Sequence, residues 1–173
     1  NFRHLPEVVK NLLIINGLFF LATITLDGMG FDIYLFFGLH QFQSPDFMPH
    51  QLITHFFMHG NFTHLLVNMF ALWMFGKVLE NEWGDKRFLA YYMITGLGAA
   101  TLHLGVIQYQ IFELSNGLPE LIELAKNGRY NPAISESLKL TQLISTPTVG
   151  ASGAVFGLLL AFGMLFPNTR LYL

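Results

Sequence analysis

Cysteine is absent from the 173 residues, which excludes disulfides, thiolate metal sites and a cysteine nucleophile. Charge is scarce as well: Asp, Glu, Lys and Arg make up 12% of the chain, against about 25% in an ordinary soluble domain. The nine basic residues form no cluster and the formal net charge is −2, so nothing in the chain offers an electrostatic footprint for nucleic acid. No internal repeat or low-complexity tract is present. All seven histidines stand at or before position 103.

What fills the chain instead is apolar. Hydrophobic residues make up 53% and mean hydropathy is +0.47, and the runs 11–26, 47–76, 88–112 and 140–169 contain no Asp, Glu, Lys or Arg. A bilayer core about 30 Å thick needs roughly 20 apolar residues per helix. The runs therefore predict an all-α polytopic transmembrane helix bundle with spans near 8–26, 62–80, 88–112 and 150–167. The first apolar run lacks a small-residue cleavage site and further spans follow it, so it reads as a retained helix. With the N-terminus cytoplasmic, Arg3, Lys10, Lys77, Lys86, Arg87 and Arg170 lie inside and Lys126, Arg129 and Lys139 outside, which favours that orientation.

Between the spans, the loop 27–61 is rich in phenylalanine and predicted to lie partly in the outer leaflet. Gly76 to Arg87 reads as a tight inner hairpin turning at Trp83-Gly84. Residues 113–148 read as a surface insertion of one or two short helices, with Leu118 to Lys126 amphipathic, and as a solvated connection with no part in chemistry.

The chemistry-bearing residues are few. Ser152 sits in Gly150-Ala151-Ser152-Gly153 at the start of the fourth span, where unpaired helix N–H groups suit a developing oxyanion. Ala154 stands where a nucleophile elbow needs its second glycine, so soluble serine hydrolases are set aside. Gly153, Gly157, Ala161 and Gly163 would let a neighbouring helix come close, and that packing role competes with a nucleophilic one for the glycine-flanked serine. His64 and Asn68, four apart, project from one helix face and could donate to one anion together with the Ser152 N–H. His55 and His59 read first as interhelical hydrogen-bonders. A metal on His55, His59 and His64 is the competing reading, although His-Glu-x-x-His is absent; no metal or cofactor is required.

His55, His59, His64 and Asn68, followed by Gly150-Ala151-Ser152-Gly153, resemble the rhomboid intramembrane serine proteases in residue type and spacing, over roughly residues 50–167. The resemblance implies a six-helix bundle, of which four spans are present here, with Ser152 as nucleophile in a water-filled cavity open to the outer side. His64, Asn68 and the Ser152 N–H would hold the oxyanion. Phe156 falls where the family places an aromatic residue against the catalytic histidine. His50-Gln51 replaces the Trp-Arg of many members, and Glu80-Asn81-Glu82 replaces Glu-x-Arg. In rhomboids the base is a histidine of the sixth helix, whereas His103 matches no catalytic position and reads as a packing residue.

The expectation is a rhomboid-type protease whose fifth and sixth helices are missing from this sequence, with the base beyond residue 173 and Leu171-Tyr172-Leu173 starting a further span. Transmembrane proteins would be its substrates and a bacterial cytoplasmic membrane its site. A non-cutting relative that binds membrane segments or serves as a subunit of a membrane complex is the alternative, and a histidine-lined channel or metal transporter a third.

Overall fold

The computed structural model describes residues 5–169; Arg3, Arg170 and the apolar end at 171–173 lie outside the described residues. The molecule is an all-helical bundle, and among the described residues its one β-type contact is an isolated antiparallel bridge between Leu39 and Thr148. Three helical stretches are long and apolar enough to cross a membrane. They are α1 (Glu7–Asp27), the run α4 (Phe62–Ala71), π-turn (Leu72–Gly76) and α5 (Lys77–Trp83), and α6 (Asp85–Ser115). Shorter pieces are α2 (Ile33–Phe37), α3 (Gln51–Thr54) with the 3₁₀ turn His55–Phe57, α7 (Pro119–Lys126), α8 (Ser135–Ser145) and α9 (Ser152–Leu165). Leu18, Leu21 and Ile24 of α1, Ile94 and Leu102 of α6 and Leu160 and Met164 of α9 face outward, as side chains solvated by lipid do.

One core holds the bundle. Leu12 of α1, Leu72 of the π-turn, Leu79 of α5, Phe88 and Tyr92 of α6 and Ala154 and Leu158 of α9 pack together there. Small residues set the α6 to α9 distance. A methyl added to Gly153 would lie 2.6 Å from Ala99 Cβ, and one on Gly157 would lie 2.6 Å from Thr95 Cβ. The small-residue stripe thus divides: Gly153 and Gly157 meet α6, Ala161 is buried, and Gly163 meets nothing within 4 Å.

Glu80 closes the end at which α1 begins. Its carboxylate is 1% exposed and accepts from Val8 N at 2.8 Å and Val9 N at 2.7 Å, capping two of the orphan N–H groups at the start of α1. Glu80→Ala is expected to lower stability by about 1–3 kcal/mol because it strands these donors. Glu80→Gln, which keeps one acceptor, is expected to cost less. Thermal unfolding of the detergent-solubilised protein measures both.

The bounds of α6 and α9 differ from the sequence expectation. At 31 residues, α6 is about 46 Å long and outruns the bilayer core. Its C-terminal end carries the insertion, where Ile107 and Ile111 pack on Leu121 and Ala125 of α7 and Leu140 and Ile144 of α8. The insertion is thus a packed hairpin of two short helices. Helix α9 begins only at Ser152 and spans 14 residues, because residues before it are held extended and Pro167 disfavours helix at Phe166.

The aromatic loop is anchored through Gln51, which is fully buried. Its amide donates to Asp46 O at 2.9 Å and Leu35 O at 3.2 Å, and its oxygen accepts from Met48 N at 3.0 Å and His40 N at 3.2 Å. Glutamine alone satisfies four backbone groups there. His50 adds a 2.7 Å contact from Nε2 to Phe36 O.

Candidate active site

Ser152 is presented by a short extended segment that ends in a sharp turn. Thr148 N donates to Leu39 O at 2.8 Å and Leu39 N to Thr148 O at 2.9 Å, and Gly150 N donates to His55 O at 2.8 Å. The chain then turns through Gly150 at φ +120°, a region that L side chains avoid. Ala151 occupies the N-cap without a side-chain hydrogen bond, so the first N–H groups of α9, starting with that of Ser152, are left open. A capping Ser or Asp would fill the place where an incoming oxyanion can sit.

His64 comes to this turn from α4. A methyl on Gly150 would lie 2.7 Å from His64 Cε1, 2.8 Å from its Nε2 and 3.8 Å from Ser152 Oγ. Imidazole and serine therefore flank the same small volume. Asn61 caps α4 by accepting from His64 N at 2.8 Å, and Gly60 N points at His64 Nδ1 at 3.4 Å. With Nδ1 as acceptor, the proton sits on Nε2, the atom facing the serine turn. Asn68 lies one turn deeper and is buried; its Nδ2 donates to His64 O at 2.8 Å, which leaves one amide hydrogen for another acceptor.

A cavity of about 250 Å³ opens on the other side of Ser152, between α6 and α9. His55, Gly96, His103, Thr148, Ser152 and Phe156 are among the residues on its walls, whereas His64 and Asn68 do not reach it. His55 is buried, with Nδ1 2.7 Å from Gln51 O; Phe156 is 69% exposed. His103, read from sequence as a packing residue, is exposed and contacts Thr148 Oγ1 at 3.0 Å through Nε2. It lies on the wall of the serine's own cavity. No sequence signal pointed there, since 45 residues separate it from Thr148. Among the described residues no three histidine or carboxylate side chains gather into a metal-binding cluster.

His59 is fully buried, and neither ring nitrogen has a partner. Its ring lies 5.1 Å from that of His64. Burial, followed by the nearby His64, holds its pKa down to about 4 from the ordinary 6.5. Burial likewise lowers that of His55, with His103 adding to the effect. Because the unfolded chain takes up a proton on His59 near pH 6.5 and the folded one does not, its contribution to stability is complete above that pH. It is lost as pH falls toward 4, by on the order of 3 kcal/mol. Melting temperature should fall across that window, and His59→Gln should flatten the fall.

The family model described as the Rhomboid domain matches residues 46–173. Rhomboid protein 1, mitochondrial, of Saccharomyces cerevisiae is 32% identical over 117 residues, covering 68% of this chain and 25% of that protein. Rhomboid-like protein 11, chloroplastic, of Arabidopsis thaliana is 32% identical over 152 residues, covering 83% of this chain and 40% of that protein. Rhomboid protease AarA of Providencia stuartii is 33% identical over 101 residues, covering 58% and 28% respectively. The chain thus spans between a quarter and two-fifths of the length of these relatives. No solved structure matches at the same level of significance.

Proposed function

Since the chain belongs to the rhomboid family and is an integral membrane protein, we propose that the protein it represents is an intramembrane serine endopeptidase with Ser152 as nucleophile. Ser152 Oγ attacks the carbonyl carbon of a peptide bond in a transmembrane substrate, and its proton passes to a histidine base expected beyond residue 173. The same histidine returns the proton to the departing amine, leaving an acyl-enzyme that water then hydrolyses. The oxyanion is held by the Ser152 N–H, His64 Nε2–H and the free amide hydrogen of Asn68. The observation that carries this reading is the apposition of the His64 ring and Ser152 Oγ across Gly150. His55 and His59 support it from behind, His55 by accepting Gly150 N. No metal or cofactor takes part.

By family analogy, substrates would offer a small residue at the cleavage site and a helix that unwinds readily. The site would open to the outer side with the N-terminus cytoplasmic. A bacterial cytoplasmic membrane is the location proposed, although the relatives include mitochondrial and chloroplastic proteins.

A mechanism-based electrophile that acylates active serines, such as a fluorophosphonate, tests the reading on the full-length protein in detergent. Mass spectrometry should find one adduct, on Ser152. Absence of that adduct would overturn the reading in favour of a relative that binds membrane segments without cutting them.

A further inference from the structure

Beside the serine cavity lies a second cleft, of about 460 Å³, between the outer part of α6 and the face of α8. His103 and Thr148 line both cavities, so the two adjoin at the 3.0 Å contact between His103 Nε2 and Thr148 Oγ1. Ile107 and Leu143 form apolar wall, and Lys139 and Gln142 stand on it as well. Among the described residues neither Lys139 nor Gln142 has a side-chain partner, whereas Lys126, elsewhere on the hairpin, pairs with Glu123 at 3.5 Å.

Backbone donors are used up along the cleft's third wall. Thr146 N donates to Gln142 O at 2.9 Å and Thr148 N to Leu39 O at 2.8 Å, and Pro147 has no N–H. The segment's N–H groups are therefore closed to a chain lying there, which leaves its carbonyls and the side chains of the walls to recognise it. Apart from the titratable His103, the charged group on the walls is the Lys139 ammonium, beside an amide and apolar surface that suits the stem of an acidic side chain.

We propose that this cleft is a substrate exosite: it receives an extended segment flanking the scissile bond and selects an Asp or Glu there through Lys139 and Gln142. The proposal rests on the protease reading above and deepens it. The hairpin thereby becomes a specificity element that α8 carries to within seven residues of Ser152. Its packing on Ile107 and Ile111 fixes Lys139 relative to the nucleophile.

The test uses the full-length protein in proteoliposomes and transmembrane reporters with a single Asp or Lys at successive positions flanking the scissile bond outside the membrane. At one or two adjacent positions the Asp reporter should be cleaved with kcat/KM about 5-fold above its Lys counterpart, a ratio expected of one exposed ion pair and shrinking with added salt. Lys139→Glu should invert the preference, and Lys126→Glu should leave it alone. An unaltered preference in Lys139→Glu, with cleavage still dependent on Ser152, overturns the exosite and spares the protease. Loss of Ser152 dependence instead overturns the protease reading. In that case carbodiimide coupling of the Asp-bearing segment still decides the exosite: an amide bond mapped to Lys139 supports it, and none there refutes it.

Discussion

Ser152→Ala is expected to lower the rate of reporter cleavage by at least about 10³-fold while leaving the fold intact. Loss of a nucleophile removes the acyl-enzyme route altogether, and what survives is only the help that binding and oxyanion donors give to water. No cysteine exists to substitute. Stability should change little, since Oγ bonds no described residue and the helix N-terminus is formed by backbone. The two readouts together are decisive: initial cleavage rates in proteoliposomes and the melting temperature in detergent. A variant that melts like the parent and cleaves within about 10-fold of its rate would mean that Ser152 is a packing residue, the use that glycine-flanked serines in membrane helices also have.

Gly150→Ala is expected to be nearly as harmful, for two reasons that act together. At φ +120° a side chain strains the backbone by roughly 1–3 kcal/mol. The new methyl would also meet His64 Cε1 at 2.7 Å and Nε2 at 2.8 Å, so the ring must move. Displacing a catalytic group by about 1 Å can cost on the order of 10²-fold in rate. Cleavage should therefore fall by about 10², with a lower melting temperature. Gly98→Ala is the contrast, because nothing lies within 4 Å of the added methyl and helical glycine is poorer than alanine by up to about 1 kcal/mol. It should match or exceed the parent in stability. Undiminished activity in Gly150→Ala would mean that the close seat of His64 against the serine turn is irrelevant to catalysis.

Much of this could be read from residue order, for identifiable reasons. Charge-free runs mark membrane spans because burying a charge in lipid is so costly, and helix spacing put His64 and Asn68 on one face without any structure. The ends of α6 escaped for the same reason: Asp85 to Arg87 and Glu113 are charged, so a rule based on charge stops short of residues that remain helical outside the lipid. Gln51 stood out only as a departure from the Trp-Arg of many rhomboids, and its anchoring role escaped because its partners between Leu35 and Met48 are defined only once the loop has folded back. The seating of the hairpin on Ile107 and Ile111 was half visible, as Leu121 with Ala125 and Leu140 with Ile144 are i,i+4 apolar pairs. What covered them could not be told from local spacing.

The bridge between Leu39 and Thr148 joins residues 109 positions apart in the chain, and the bond from Gly150 to His55 closes 95. Such contacts are among the last that a growing polypeptide can make, because a ribosome supplies residues in order and long closures are slow. The aromatic loop must therefore wait, without its bridge to Thr148, until the segment leading into α9 has been delivered. The same closing event that settles the loop also turns the chain at Gly150 and brings His64 beside the serine. On the protease reading proposed above, the nucleophile and its oxyanion donor are therefore kept apart until residue 150 has been made.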